Sequence, residues 1–149
     1  MWEILDSLYV TGVVVFALLF LLFISCYGLL SAGLHIMGIN KGINSPWLAW
    51  IPLGQYYVIG AIIEEFKLLD WKISNAGSVL GGLAVVTFFF SAIIPFIGWI
   101  LPLALFVLGV AATYKLLSLK GSSSPLGVIL CSLVFFPVLP IVIFNLRNN

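Results

Sequence analysis

The sequence predicts an all-α, polytopic membrane protein: a bundle of four transmembrane helices plus one interfacial or re-entrant helix. Composition is the first observation that predicts this class, because 63% of the residues are apolar and only 7% are charged. Soluble domains average about 25% charged residues, so six basic and five acidic side chains are too few for a water-facing surface. The second observation is that the charges separate long uncharged stretches, each of which is a candidate for membrane helices.

The first uncharged stretch lies between Asp6 and Lys41, with His35 as its one imidazole. A helix needs about 20 residues to cross about 30 Å of hydrocarbon, so we place one span at about residues 9–30. The following tail, residues 31–37, is expected to project toward the headgroups and to carry His35 there. A lone histidine near a helix end is more typical of a polar surface residue than of a functional site.

The second stretch, residues 73–114, would be about 63 Å long as a single helix, roughly twice the hydrocarbon thickness. It must therefore fold back, and Pro95 and Gly98 supply the breakers near its middle. This predicts spans at about residues 77–94 and 96–117. The last uncharged stretch predicts a fourth span at about residues 126–146, kinked by its prolines.

The segment at residues 47–63 is about 25 Å long as a helix, too short to cross, and Pro52 interrupts it. If it does not cross, all five lysines lie on the cytoplasmic side and only Arg147 lies outside, which the positive-inside rule favours over a crossing segment. We therefore predict a non-crossing segment in which Gln55 faces the bundle. Its predicted interfacial anchors are Trp47, Trp50, Tyr56 and Tyr57.

The charged run that follows, residues 64–72, predicts that the helix continues from about residue 53 to residue 71 and emerges at the headgroups. Glu64 and Lys67 would then share one helical face. Lys67 and Lys72 are predicted to contact lipid phosphates, and Trp71 is a further interfacial anchor. A headgroup-facing charge run is a more ordinary interpretation than a catalytic glutamate pair.

Small residues at four-residue spacing predict helix-packing faces, because they let backbones approach closely in lipid. Packing within this chain's own bundle and packing against a partner both remain open. The predicted packing residues are Gly77, Ser78, Gly81 and Gly82 in the second span, and Gly28 and Ala32 in the first.

The stretch GINSPWLAWIPLGQYYVIG, residues 42–60, resembles a block in small multi-span membrane proteins of Gram-positive bacteria, with Ser45 where an asparagine is usual. The ending VIFNLRNN, residues 142–149, is similar to theirs. The resemblance touches about a third of the chain. It implies a multi-pass protein of the bacterial plasma membrane and implies no activity.

The sequence favours a non-enzymatic accessory or scaffold subunit that packs against a larger membrane partner. Membrane enzymes and coupled carriers normally hold ionisable groups inside their spans, and none is expected here apart from His35. Cys26 and Cys131 have no ligand partners at metal spacing, so we expect no catalytic, cofactor or metal site. The net charge of +1 gives no basic face for nucleic acid. The alternatives are a small homo-oligomeric channel or carrier and, third, a membrane-embedded enzyme.

Overall fold

The chain folds as an assembly of helices with one short β-ribbon, so the predicted all-α class is confirmed. The computed structural model describes residues 2–68, 71–93 and 97–148. Its α-helices are α1 (Trp2–Asn40), α2 (Pro52–Ile63), α3 (Ala76–Ile93), α4 (Ile97–Leu119), α5 (Pro125–Val134) and α6 (Val138–Asn145). Two 3₁₀-helices cover Pro46–Trp50 and Leu146–Asn148, and the antiparallel strands are β1 (Phe66–Leu68) and β2 (Trp71–Ile73).

Three polar contacts join distant parts of the chain at one end of the bundle, which we call the charged end. They are the ion pair of Lys41 with Glu64 (2.8 Å), the hydrogen bond from Lys115 Nζ to the Glu65 carbonyl, and that from Asn40 Nδ2 to the Arg147 carbonyl (3.1 Å). The C-terminal ends of α1, α2 and α4 and the last turn of the chain therefore lie together.

The segment after α1 leaves the charged end and returns to it. Its turn lies deep, because the Trp50 carbonyl accepts a 2.6 Å hydrogen bond from the Tyr27 hydroxyl. Tyr27 precedes Lys41 by 14 residues, or about 21 Å along α1. Helix α2 then runs back to Glu64, which pairs with Lys41. We call residues 46–63 the first hairpin. Its two ends lie on one side of the bundle, and whether the segment crosses a membrane stays a prediction.

Helices α3 and α4 flank α2 and run in opposite directions. The amide of Ala76 donates to the Glu64 carbonyl at 3.1 Å, and Gly81 lies against Tyr57, so α3 runs away from the charged end. Helix α4 returns, with Gly109 against the Tyr56 ring. The turn that we predicted at Pro95 lies outside the described residues.

The prediction of one span at residues 126–146 is wrong. Helix α5 leaves the charged end beside α4 and stops at Val134, and the chain turns at residues 135–137. Helix α6 runs back along α1: the Phe136 ring stacks on Phe23 with centroids 6.0 Å apart, and Ile143 contacts Gly33. Pro137 thus lies in the turn as the N-cap of α6, instead of kinking a continuous helix. We call residues 125–147 the second hairpin, and it brings Arg147 to the charged end.

The predicted helix from residue 53 to residue 71 is also wrong, because α2 ends at Ile63. Glu64 adopts a φ of 58°, which a continuing helix cannot contain, and its amide still donates to the Gly60 carbonyl. The chain then forms the β1–β2 ribbon, in which Lys67 pairs with Lys72. Glu64 and Lys67 therefore share no helical face.

Helix α1 has two unlike halves. Residues 8–24 are exposed along their whole length, whereas Ser31, Leu34 and Met37 are fully buried. Residues 31–37 are the part of α1 that packs on the first and second hairpins, and their depth relative to the headgroups stays a prediction. Among the described residues, two helices are long and apolar enough to cross a membrane, at Asp6–Asn40 and Ile100–Leu119.

The buried core occupies the half of the bundle nearer the charged end. Every helix contributes to it, and its largest fully buried side chains are Leu34, Met37, Val58, Leu80, Leu116, Leu117 and Ile143. The large apolar side chains of the opposite half remain exposed, including those of Phe88, Leu103, Leu133 and Phe135. The half of the bundle away from the charged end therefore has an outer surface of apolar side chains.

Gly60→Ala should destabilise the protein, although alanine normally favours a helix by up to about 1 kcal/mol. A Cβ at residue 60 would lie 2.6 Å from the backbone nitrogen of Gly77, so α2 and α3 would have to separate. We expect a loss of about 1–3 kcal/mol, as for other overpacked sites, measured as a lower melting temperature in detergent. The matched control is Gly82→Ala, since a Cβ there meets nothing within 4 Å. Equal melting temperatures for the two variants would contradict the close approach.

Candidate functional site

A cavity of about 320 Å³ lies in the middle of the bundle, where α2, α4 and the second hairpin surround it. Its wall is mostly apolar, with aromatic side chains from Tyr56, Phe106 and Phe136. Four polar side chains interrupt the wall: Gln55, Tyr56, Thr113 and Ser132. This is the composition of a small-molecule pocket, in which apolar walls give affinity and a few polar groups give orientation.

Gln55 is oriented by α1. Its Nε2 donates a 3.1 Å hydrogen bond to Ser31 Oγ, and Ser31 itself is fully buried. The prediction that Gln55 faces the bundle is confirmed. The contact ties the wall of the cavity to the buried half of α1, and such bonds between helices are worth about 0.6–2 kcal/mol in lipid.

A second cavity, of about 520 Å³, continues the first toward the charged end. Val110 and Ile129 line both cavities, so the two adjoin between α4 and α5. The upper cavity reaches Lys115 and Ser118. Together they form one groove along α4, apolar at depth and polar where it meets the charged end.

Glycines of α3 pack closely against α2, the helix that carries Gln55 and Tyr56 in the wall of the groove. Gly77 and Gly81, both predicted packing residues, lie against α2: Cβ atoms there would approach Ala61 and Tyr57 to 3.0 and 2.9 Å. The other predicted packing residues lie elsewhere: Cβ atoms at Gly28 and Gly82 would meet nothing within 4 Å, Ser78 is exposed and Ala32 is half-buried.

Sequence reasoning missed two of the closest approaches, at Gly60 and Gly33. Gly60 touches the start of α3, and a Cβ on Gly33 would lie 3.2 Å from the Phe144 backbone in α6. Neither glycine has a small residue four positions away on its own helix, so the spacing that marks packing faces could not find them.

The predicted interfacial anchors divide into two groups. Trp47 and Trp50 are half-exposed, but Trp50 lies at the deep turn of the first hairpin and not at the charged end. Tyr56 and Tyr57 are partly buried and pack on α4 and α3, so they are parts of the bundle instead of anchors at its surface. The side chains of Trp71, Lys67 and Lys72 lie outside those that the structure describes, so their predicted roles stay predictions.

Other polar side chains within the bundle form no catalytic constellation. His35 is partly buried beside the core, and its Nδ1 has no hydrogen-bond partner among the described residues. Thr87 Oγ1 and Ser91 Oγ, one helical turn apart on α3, are likewise buried without a partner in the described part of the chain. Ser25 and Ser132 donate to carbonyls of their own helices, at Leu21 and Ile129.

Comparisons of this chain with protein-family models, with characterised proteins and with solved structures found no match. The argument for function therefore depends on the geometry of the chain itself.

Ser31→Ala should destabilise the bundle by about 1 kcal/mol, because the variant leaves Gln55 Nε2 buried without its acceptor. Ser25→Ala is the matched control on the same helix, since Ser25 is exposed and bonds only to the Leu21 carbonyl. Ser31→Thr, which keeps a hydroxyl, should recover part of the loss. The measurement is thermal unfolding in detergent, and identical curves for the two alanine variants would show that the hydrogen bond contributes nothing.

Proposed function

We propose that this protein is a multi-pass protein of the bacterial plasma membrane whose charged end faces the cytoplasm. The distribution of basic residues supports this orientation. All six occur in segments at the charged end: the loop after α1, the β-ribbon, the end of α4 with the loop that follows, and the last turn. The positive-inside rule places such segments in the cytoplasm. Arg147, the exception in a four-span arrangement, joins the others because the second hairpin returns.

The proposed topology has three crossing helices and two re-entrant hairpins. Helix α1 crosses, and α3 and α4 cross as a pair, since α4 extends about 27 Å from Ile97 to Lys115. The first and second hairpins enter from the cytoplasm and return to it. Their turns, at residues 50–52 and 135–137, contain only aromatic side chains, isoleucine and proline. A turn in water usually carries polar residues, so these compositions favour turns inside hydrocarbon.

Single cysteines placed on exposed loop positions test this topology, in a background with Cys26 and Cys131 replaced by alanine. Cysteines at Asn44, Ser74, Ser123 and Asn148 should all resist an impermeant thiol reagent in intact cells and react after lysis, whereas one at Ser7 should react from outside. A four-span chain would put Asn148 outside, and a crossing first hairpin would separate Asn44 from Ser74. Labelling of either kind would refute the arrangement.

Within this membrane, we propose that the chain is a non-enzymatic subunit that packs against a larger membrane protein through the exposed half of α1. The observation that carries the proposal is the length of that helix. Residues 7–39 contain no acidic, Lys or Arg side chain and extend about 50 Å. Even at a tilt of 40°, the upper limit for membrane helices, they span about 38 Å against about 30 Å of hydrocarbon.

The part of α1 that extends beyond the hydrocarbon must be covered, because exposing apolar surface to water is unfavourable by about 25 cal/mol per Å². The bundle does not cover it: Phe23 is the last residue on which the second hairpin packs, and residues 8–22 are exposed. A helix or domain of another membrane protein would bury this surface. Phe16, 70% exposed, lies at the middle of the uncovered stretch.

A photo-crosslinking amino acid at Phe16 tests the partner in native membranes. We expect a crosslinked adduct whose mass equals that of this 16.3 kDa chain plus that of an unrelated protein. Mass spectrometry would identify that protein. The matched control is the same amino acid at Leu130, which is 62% exposed on α5 and would face lipid. An adduct of twice the chain mass would instead support the homo-oligomer alternative. Adducts with lipid alone at both positions would refute the subunit proposal.

A further inference from the structure

The groove between α4 and α5 has the shape and polarity of a site for one membrane lipid. Its lower chamber, the first cavity, is lined by mostly apolar residues of α1 to α6, and its upper chamber, the second cavity, opens beside Lys115 at the charged end. From Lys115 to Phe106 the groove follows α4 for nine residues, about 14 Å. That length is close to one leaflet, half of about 30 Å of hydrocarbon.

Two of the four polar side chains in the lower chamber, Ser132 and Gln55, already form hydrogen bonds within the chain. Ser132 Oγ donates to the Ile129 carbonyl at 2.7 Å, and Gln55 Nε2 donates to Ser31. The remaining wall is mostly aliphatic and aromatic. Apolar cavities of this kind stay dry, so within a bilayer the material that fills the chamber is hydrocarbon.

The upper chamber offers a cation at headgroup level. Lys115 Nζ donates one hydrogen bond to the Glu65 carbonyl, and an ammonium group has three donors. Among the contacts of the described residues, this leaves two donors for a phosphate oxygen, and the hydroxyl-bearing side chains of Tyr114 and Ser118 line the same chamber. Lysines at this level attract anionic lipids by about 1 kcal/mol each.

A helix of a partner protein does not fit the lower chamber. A helix with side chains is about 10 Å across and rises 5.4 Å per turn. A chamber of about 320 Å³ would hold less than one such turn. A single acyl chain is narrow enough to enter.

We propose that the groove binds one anionic phospholipid, with its phosphate at Lys115 and one acyl chain in the chamber between α2, α4 and the second hairpin. The proposal depends on the membrane placement given above and not on the partner of α1. The cysteine-labelling experiment tests that placement separately. The bound lipid occupies the space between the second hairpin and the rest of the bundle, so it is a structural component of the folded protein.

Native mass spectrometry of the full chain in mild detergent, titrated with phosphatidylglycerol or phosphatidylcholine, tests the site. The wild-type protein should retain one phosphatidylglycerol in preference to phosphatidylcholine. Lys115→Gln should reduce that preference about fivefold, the equivalent of one lysine at the surface. Lys120→Gln is its control, because Lys120 lines neither chamber.

Ser132→Phe should abolish retention of both lipids by filling the lower chamber, and Leu130→Phe, on the exposed face of the same helix, should not. If Ser132→Phe does not fold, Val110→Phe fills the junction of the two chambers instead. Undiminished lipid retention in the folded plug variant would overturn the chain site. An unchanged phosphatidylglycerol preference in Lys115→Gln would overturn the phosphate contact and with it the proposal.

Discussion

The approach of α2 to α3 at Gly60 is the contact on which the rest of the bundle depends. Helix α2 is the central element, with α1, α3 and α4 all packed on it, and it is only 12 residues long. A short apolar helix has little stability of its own, and in lipid no hydrophobic force drives it against its neighbours. Van der Waals contact must hold it, and that contact is closest where glycine faces backbone. At Gly60 and Gly77 the two helices touch without side chains between them, and the tyrosines that follow then fit against Gly81 and Gly109.

The need for hydrogen-bond partners at the two turns explains contacts between the hairpins and the rest of the bundle. A turn in hydrocarbon leaves backbone groups unpaired unless the protein supplies partners. The Trp50 carbonyl at the first turn receives the Tyr27 hydroxyl. At the second turn the amide of Phe135 bonds back to Cys131 and that of Val138 to Phe135, while Pro137 has no amide to satisfy. The ends of both hairpins return to the charged end, where contacts of Lys41, Glu64 and Asn40 hold them together. The polar contacts at the charged end hold the ends of the hairpins, and hydrogen bonds within the protein satisfy backbone groups at their turns.

The sequence predicted the positions of helices from local apolar runs, but it did not predict where the chain turns back instead of continuing. The apolar runs predicted helices close to α3 and α4, because an uncharged stretch of this length must fold back near its middle. Gly98, one of the two predicted breakers, lies inside α4. The inward orientation of Gln55 followed from the cost of burying an amide without a partner. Hydropathy, however, does not distinguish a helix that crosses from one that turns back. Residues 126–146 are as apolar as a span, and the return is seen only in contacts with α1, such as the stacking of Phe136 on Phe23 and the contact of Ile143 with Gly33. The end of α2 was hidden for a different reason, since Glu64 takes a positive φ that is normally a glycine's.

The groove could not be predicted from the sequence because its wall comes from six separate helices and its polar residues are ordinary in isolation. Its existence follows from the second hairpin: α5 and α6 diverge from a turn at Phe135–Pro137, so they cannot both pack along α4, and the space between them stays open. A fourth crossing helix in place of that hairpin would have filled the space and removed the chamber. The break at residues 135–137 therefore accounts for the return of the chain to the charged end, for the cavity next to it and for the position of Lys115 at the opening of that cavity. Helix α1 meets a separate requirement, because its exposed half lies beyond the hairpins and contributes only Leu30, from its buried half, to the cavity wall. The two surfaces can consequently bind different molecules, a lipid between the hairpin and α4 and a protein along α1, without competing for the same side chains.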